Sequence, residues 1–258
     1  MTDMAATRAF EAKMYPENEA GGFSRRCCTV AFYSRINALL DPSMVILNLG
    51  AGRGANIAED SSTYRQKLQT FRGRVARVIG LDLDPVVLEN PDLDEAHVIE
   101  IGKPYPVADE SIDLIISDHV LEHVANPAEF AAEIDRVLKP GGWFLARTPT
   151  RWGYVGLGAR LVPNSLHTRF LEKLQPERKA EDVFPVVYRM NTLGALRKVF
   201  PPARWHHYTY GFNGDPGYHA NRRVLFRLVE MWGWLMPRWL SAKFHVVLRK
   251  KTGTTRDA

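Results

Sequence analysis

Five short apolar runs alternate with helix-like segments between residues 44 and 148 of this 258-residue chain. The runs read MVILNL, ARVIGLDLD, AHVIEI, IDLIISD and GWFLART, and turn residues bound each of them. Apolar strands separated by helices are typical of a parallel sheet that helices cover on both faces. We therefore predict an α/β fold that is doubly wound around a mostly parallel sheet.

The carboxyl ends of these strands form the predicted ligand site, because open sheets of this kind bind ligands there. The ends carry a glycine turn over residues 50–54, followed along the chain by Asp82, Glu100, Asp118 and Thr148. We expect all of these residues to ring one crevice.

The glycine turn has two interpretations. Gly50, Gly52 and Ala55 fit G-x-G-x-x-A, one form of the dinucleotide fingerprint, whereas Gly50, Gly52 and Gly54 fit G-x-G-x-G. Either pattern lets a ligand come close to backbone N–H groups, since glycine has no Cβ. By itself the turn therefore does not choose between NAD and another ligand.

A carboxylate at the end of the second strand suits a ribose, because it can accept hydrogen bonds from both hydroxyls. We favour Asp82 for this role over Asp84, because Pro85 ends the strand soon after Asp84. Asp82 lies 28 residues beyond Gly54, whereas an NAD site is expected to place its acid about 20 residues on. The spacing fits NAD poorly without excluding it.

Four motifs follow one another in strand-like contexts: VILNLGAGRG, VIGLDLDP, YPVADESIDLIISDHVLEHV and RVLKPGGWFLARTPT. Together they resemble the class I S-adenosylmethionine-dependent methyltransferases, most of all the type 11 family, over roughly residues 44–150. The resemblance implies methyl transfer with S-adenosyl-L-methionine as cofactor. It also implies a Rossmann-like methyltransferase fold, with a seven-stranded sheet whose final strand is antiparallel.

The resemblance also implies where the cofactor lies. The glycine turn would pass under its methionyl part, Asp82 would hold the ribose, and the third strand would end near the adenine. One departure is Asn48, which stands where the family commonly has an acid that helps to hold the ammonium group. The implied cofactor-binding residues are Asn48, Gly50, Ala51, Gly52, Gly54, Asp82, Leu83, Glu100, Ser117 and Asp118.

The fourth strand ends in SDHV. Enzymes of this fold that methylate amino groups of bases often carry D/N-P-P-Y there, so we expect no nucleic-acid substrate. A small molecule or a glycan, methylated on oxygen, is favoured instead. A hydroxyl nucleophile needs a base, and His119 is the candidate because histidine titrates near neutrality and this one lies at the strand end.

We predict a single domain with four parts: a helical cap over residues 1–40, the cofactor-binding core over 41–150, a substrate-side insertion over 151–190, and a C-terminal part over 191–258 that completes the sheet around a Trp-rich helix. Aromatic side chains beside arginines suit a sugar or an acidic group. The expected substrate-binding residues are Phe23, Arg25, Arg26, Arg151, Trp152 and Tyr154.

Composition limits the remaining classes. The chain is 45% hydrophobic and 24% charged, which is ordinary for a globular protein. Cys27 and Cys28 are adjacent and make no useful disulfide, so we expect a reducing compartment and no metal site. We find no signal peptide and no apolar run of the ~20 residues that a span needs, and we expect a cytoplasmic protein.

Charge and aromatic content suggest where partners bind. The net charge is +5, and residues 151–200 alone contribute nine basic and four acidic side chains. The segment NRRVLFRLVEMWGWLMPRWL is helical in pattern and rich in Trp. We interpret it first as core packing or a homodimer face, and second as a peripheral membrane contact.

Two other functions remain open from the sequence. Asn48 would suit a protein of the same fold that binds the cofactor without transferring a methyl group. The G-x-G-x-x-A reading of the turn would suit an NAD-dependent oxidoreductase.

Overall fold

The computed structural model describes residues 2–153, 186–216 and 219–253. Most of the predicted insertion over 151–190 lies outside the described residues, and so does Tyr154. The division into four parts of one domain stays a prediction.

A mixed β-sheet runs through the centre of the protein in the order β3-β2-β1-β4-β5-β8-β6, with β7 also paired to β8. Strands β1 to β5 are parallel, and β8 is antiparallel to β5. This confirms the predicted mostly parallel α/β fold. The strands are β1 (Val45–Leu49), β2 (Arg77–Asp82), β3 (Glu95–Val98), β4 (Ile112–Asp118), β5 (Leu138–Pro149), β6 (Trp205–His207), β7 (Tyr210–Phe212) and β8 (Lys243–Lys250).

Strands β6 and β7 are two halves of one strand position. Trp205 pairs with Lys250 and Phe212 with Lys243, so both short strands share one register against β8. At the break, the Thr209 hydroxyl accepts from the Val247 N–H, where a ladder carbonyl would otherwise stand. The described part of the sheet therefore has eight strands in seven positions.

Most of the helices alternate with the parallel strands, as the sequence pattern predicted. They are α1 (Thr2–Met14), α2 (Cys28–Asn37), α3 (Ala55–Ala58), α4 (Thr63–Gln69), α5 (Pro127–Val137), α6 (Leu193–Val199) and α7 (Arg223–Leu235). Short 3₁₀ turns cover Pro16–Glu19, Pro85–Glu89, Leu121–His123 and Arg238–Leu240.

Local hydrogen bonds explain how two helices begin. Thr192 caps α6, since its hydroxyl accepts from Ala195 N. Helix α2 begins at Cys28 without a side-chain cap. The nearby Ser24 hydroxyl donates instead to Asp215 at 2.5 Å, a partner 191 residues away.

The core fills both faces of the sheet. Ile46 and Leu47 are adjacent in β1 and fully buried, but they belong to different apolar clusters. The same division holds for Leu114 and Ile115 in β4. Because successive side chains of a strand point to opposite faces, burial on both faces requires an uninterrupted apolar run.

The C-terminal insertion leaves and rejoins the sheet at the edge that carries the predicted crevice. Lys243, the first residue of β8, pairs with Phe212 on one side and with Pro149, the last residue of β5, on the other. The insertion between these strands carries α7, whose Phe226 packs against Phe10 and Tyr15 of the N-terminal segment. Among the described residues, no helix is long and apolar enough to cross a membrane.

Candidate active site

The glycine turn after β1 is held in a conformation that favours glycine. Gly50, Gly52 and Gly54 have φ angles of +78°, +51° and +76°. A Cβ on Gly50 would lie 2.3 Å from the Val120 side chain, which comes from the loop after β4. The turn therefore needs glycine both for its backbone angles and for the close approach of that loop.

Asn90 braces the turn from beneath, a role that the sequence did not reveal. Its buried amide donates to the carbonyl oxygens of Ala51 and Gly52, both at 3.0 Å. A Cβ on Gly54 would lie 2.8 Å from Asn90 Oδ1. The only sequence signal is an Asn-Pro pair, which predicts a turn and says nothing of its partners.

Asp82 and Asp84 have different roles. Asp82 accepts from Gly52 N at 2.8 Å through Oδ2 and from Asp84 N at 3.0 Å through Oδ1. A carboxylate has about four acceptor positions, so Asp82 can still accept from a ribose. Asp84 is exposed and caps the following 3₁₀ turn by accepting from Val86 N.

The chain after β3 lies beside the end of β2, since Ile99 N donates to the Asp82 carbonyl at 2.8 Å. Leu83 and Ile101 follow these two strands with exposed fractions of 48% and 78%. Exposed apolar side chains here suit the faces of a flat base. Glu100 is exposed and paired with Lys103 at 2.8 Å, so its carboxylate is partly engaged in a surface pair.

Asn48 is half-buried at the end of β1, between Gly80 of β2 and Ile116 of β4. Within the described ranges its side chain makes no hydrogen bond. Its amide is therefore available to a ligand, as acceptor through oxygen or as donor through nitrogen.

Asp118, at the end of β4, anchors the strand to β5 by a buried ion pair. Its two oxygens accept from Arg147 at 2.7 and 2.6 Å, and the Tyr33 hydroxyl donates to it at 3.1 Å. Burial raises the pKa of Asp118, but the charge of Arg147 outweighs it and holds the pKa well below its usual range. Both oxygens are engaged, so the carboxylate supports the site instead of offering a free acceptor.

Two other strand-end residues lie below the crevice. Ser117 and Thr148 are fully buried, so the expectation that Thr148 rings the crevice is wrong. Only the backbone of Ser117 can face a ligand. Ser117 pairs with Ala146 of β5 and Thr148 with Phe244 of β8, so both lie within the sheet and not beyond its edge.

His119 follows β4 with a φ of +60°, which is uncommon for a residue other than glycine. Its N–H donates to the Arg147 carbonyl at 2.8 Å. Its ring lies between two partners: Nδ1 is 3.0 Å from Glu122 Oε1, and Nε2 is 3.2 Å from Lys243 Nζ. A backbone outlier of this kind costs about 1–3 kcal/mol and is typical of functional sites.

Glu122 is buried and held in place by a chain of hydrogen bonds. Its Oε2 accepts from the Thr148 hydroxyl at 2.9 Å, and that hydroxyl oxygen accepts from Asn191 Nδ2 at 2.6 Å. Burial raises the pKa of Glu122, but the hydrogen bond with His119 outweighs it and lowers the pKa. Because an ionised carboxylate only accepts, the hydrogen-bond network assigns the proton to His119 Nδ1 and leaves Nε2 as an acceptor.

Lys243 completes this group from the far end of the chain. Its Nζ donates to His119 Nε2, across 124 residues of sequence. Burial lowers the pKa of Lys243. The structure thus forms a Glu122–His119–Lys243 row, in which only His119 had been predicted from the sequence.

The N-terminal residues predicted to bind substrate have partners within the protein. The Phe23 ring stacks on Tyr64 at 5.2 Å, and Arg25 pairs with Glu17 at 2.9 Å. Arg26 donates to the Asn213 carbonyl at 3.1 Å and lies 3.5 Å from Glu230. Arg26 therefore ties the N-terminal segment to the α7 insertion, and its guanidinium is not free.

Arg151 and Trp152 lie on the chain just after β5. The Arg151 guanidinium stacks on the Trp152 ring at 5.6 Å, and Trp152 is exposed. Arg151 N donates to the Asn191 carbonyl at 3.0 Å, which joins this stack to the residues behind Glu122. The pair is thus linked to Glu122 through Asn191 and Thr148, and its contact with substrate stays a prediction.

Residues 47–146 match the family of the methyltransferase domain, type 11. A probable S-adenosylmethionine-dependent methyltransferase of Mycolicibacterium smegmatis is 38% identical over 100 residues, 37% of this chain and 38% of that protein. A ubiquinone biosynthesis O-methyltransferase of Methylobacterium is 36% identical over 86 residues, 30% of this chain and 33% of that protein. The chain spans well under half the length of these curated relatives.

Solved structures share the fold at low identity. An S-adenosylmethionine-dependent methyltransferase from Mesorhizobium loti is 16% identical with a TM-score of 0.50, covering 85% of this chain and 97% of that one. Geranyl diphosphate C-methyltransferase from Streptomyces coelicolor is 14% identical with a TM-score of 0.51, covering 86% and 76%.

These similarities favour S-adenosylmethionine over NAD as the cofactor of the glycine turn. Over residues 47–146, the chain is therefore similar to the type 11 methyltransferase domain and to S-adenosylmethionine-dependent methyltransferases.

Proposed function

We propose that the protein transfers a methyl group from S-adenosylmethionine to an oxygen of a small-molecule or glycan acceptor, with His119 as general base. The observation that carries the proposal is the Glu122–His119 pair at the end of β4. A base held by a buried carboxylate is the arrangement that a hydroxyl nucleophile needs.

The residues around the glycine turn fit the cofactor. A Cβ on Gly52 would have no atom within 4 Å, so the turn borders open space. Asp82 has acceptor capacity for a ribose, and the Asn48 amide has no other partner among the described residues. When bound, the cofactor supplies a sulfonium methyl group, which is already electrophilic. The chain then has to hold the acceptor in line and exclude water, which can contribute roughly 7–11 kcal/mol in ideal geometry.

His119 would take the acceptor's proton at Nε2. Lys243 Nζ now donates to that nitrogen, so the acceptor hydroxyl has to take the place of this contact. Glu122 then stabilises the imidazolium that forms. The lysine, displaced from the ring, would lie next to the acceptor oxygen and favour its anionic form. General-base catalysis of this kind contributes about 10²–10⁴-fold in rate.

Separate observations support the substrate class and the cellular setting. Methyl transfer to oxygen agrees with the likeness to a ubiquinone biosynthesis O-methyltransferase, which covers only 33% of that protein. The Arg151–Trp152 stack, which Asn191 and Thr148 link to Glu122, suits an acceptor with an acidic group or a sugar. Free thiols at Cys27 and Cys28 favour a reducing, cytoplasmic setting.

The test compares His119→Gln with His123→Gln, a histidine on the adjoining 3₁₀ turn. Radiolabelled S-adenosylmethionine is supplied with a panel of phenols, carboxylic acids and free sugars, and the methylated atom is identified by mass spectrometry. We expect His119→Gln to lower kcat by about 10²–10⁴-fold. Cofactor binding measured by calorimetry should change by less than about threefold.

Three results would count against the proposal: methylation on nitrogen or carbon, equal activity of the His119→Gln and wild-type proteins, or an equal loss in His123→Gln. A second function, cofactor binding without transfer, is favoured only by the lost charge at Asn48. It predicts tight binding of S-adenosylhomocysteine with no labelled product from any acceptor in the panel.

A further inference from the structure

Helix α7 exposes an apolar stripe that nothing in the described structure covers. The stripe consists of Val224, Leu228, Met231 and Leu235, whose spacing places them along one line of the helix. Their exposed fractions lie between 50% and 73%. The opposite side of α7 packs inward through Phe226 and Gly233, so the helix is anchored and the stripe faces outward.

Tryptophans extend this apolar surface. Trp234 is 82% exposed, and Trp232 and Trp239 are also exposed. The prediction that these residues form core packing is wrong, because α7 buries only Phe226 among its large side chains. Trp side chains combine an apolar ring with a polar N–H and are enriched where apolar and aqueous phases meet.

The charge around the stripe is mainly positive. Residues 222–240 contain four arginines and a single acid, Glu230. Arg222 and Arg223 are exposed, and Arg223 and Arg227 line a depression beside the stripe with Val224, Leu228 and Met231. Glu230 is turned away from the outer surface, since it accepts from Tyr15 at 2.9 Å and from Arg227 at 2.6 Å.

We propose that the α7 apolar stripe, with its flanking tryptophans and arginines, docks the protein on an anionic phospholipid surface. The helix has 13 residues, too few for the ~20 that cross a bilayer, so it lies in the plane of the interface. The arginines complement anionic headgroups, and the stripe enters the acyl boundary.

A second copy of the chain fits the same surface less well. Two positively charged faces repel each other, and a stable dimer buries roughly 800 Å² per partner. A helix about 20 Å long and about 10 Å wide offers a smaller contact. The lipid surface is therefore the occupant that both the charge and the area favour.

The helix that docks belongs to the insertion at the crevice edge of the sheet. That insertion leaves β7 at Phe212 and rejoins the sheet at Lys243, whose Nζ contacts His119. The docking inference concerns binding alone and does not depend on methyl transfer to oxygen.

The test is co-sedimentation of the full chain with two kinds of vesicle. One consists of phosphatidylcholine alone, and the other also contains the anionic lipid phosphatidylglycerol. We expect binding to the anionic vesicles, with a blue shift of Trp fluorescence, and at least tenfold weaker binding to the neutral ones. Leu228→Ser/Met231→Ser should weaken binding by about tenfold or more, and Arg223→Gln by about fivefold. Circular dichroism checks that each variant is folded.

Matched controls remove similar groups elsewhere on the surface. Leu88→Ser changes an exposed leucine of the 3₁₀ turn after β2, and Arg197→Gln an exposed arginine of α6. Both should bind as the wild-type protein does. The proposal is overturned if anionic vesicles bind no protein, if the stripe variants bind like the controls, or if sedimentation shows a dimer that Leu228→Ser/Met231→Ser disperses.

Discussion

Replacing Asn90 with alanine should weaken cofactor binding although this residue need not touch the cofactor. The side chain makes three hydrogen bonds: two donations, to Ala51 O and Gly52 O, and one acceptance, from Asp92 N, all at 3.0 Å. Each contributes about 0.5–1.5 kcal/mol. The turn is half-buried, so water can replace part of what is lost, and we expect a total cost of about 2 kcal/mol.

Part of that cost should fall on binding, because the cofactor needs the turn in its left-handed geometry. A share of about 1–1.4 kcal/mol corresponds to a five- to tenfold higher Kd for S-adenosylhomocysteine. Calorimetry measures the Kd, and urea unfolding without ligand measures the stability. Asn37→Ala is the matched control, because Asn37 also donates twice to backbone carbonyls, those of Tyr33 and Leu68, away from the turn.

Asn37→Ala should lower stability by a similar amount and leave the Kd unchanged. If Asn90→Ala also leaves the Kd unchanged, the glycines alone preform the turn and Asn90 serves stability only. If both variants raise the Kd equally, binding follows overall stability and the local argument fails.

Asp82→Asn should weaken S-adenosylhomocysteine binding by about tenfold or more, because hydrogen bonds to a charged group contribute about 1.5–3 kcal/mol. Asp84→Asn alters only a 3₁₀ cap and should change the binding little. Equal effects of the two variants in calorimetry would show that Asp82 does not hold the ribose. Asn48→Asp should keep the fold and tighten binding by less than about a hundredfold, since a new charge–charge attraction of a few kcal/mol at most is opposed by desolvation; weaker binding by a folded variant would mean that the Asn48 amide donates to the ligand. Burial, with Arg147 and Lys243 nearby, lowers the pKa of His245 to about 3, so the unfolded chain binds one more proton between about pH 6.5 and that value. As the pH is lowered through this window, the free energy of unfolding should therefore fall more steeply in the wild-type protein than in His245→Gln, by about 1 kcal/mol per pH unit. Equal slopes of the two proteins in urea unfolding from pH 6 to 4 would refute the burial argument.

The core of the fold could be predicted from the sequence because its signals are local. The five parallel strands bury both faces, so each is an unbroken apolar run that stands out against its helices. The turn at Gly50 was also predictable, because a glycine directly after an apolar run is a local signal. The structure gives its cause: a positive φ and a close neighbour both exclude a side chain. Asp82 followed from its place at the end of one such run.

Tertiary structure alone decided the partners of the candidate base and the exposure of α7. Glu122 was not among the predicted site residues, yet it orients His119, and Lys243 contacts the same ring across 124 residues of sequence. Arg26 was predicted to bind substrate, but its guanidinium donates to the Asn213 carbonyl, 187 residues away in sequence. An amphipathic pattern states that a helix has an apolar face, whereas only packing determines whether Phe226 or Leu228 is buried. Strand and turn propensities depend on neighbouring residues and can be inferred from a short stretch of sequence. Hydrogen-bond partners depend on which distant segments the fold brings together, and a short stretch of sequence carries no signal of that.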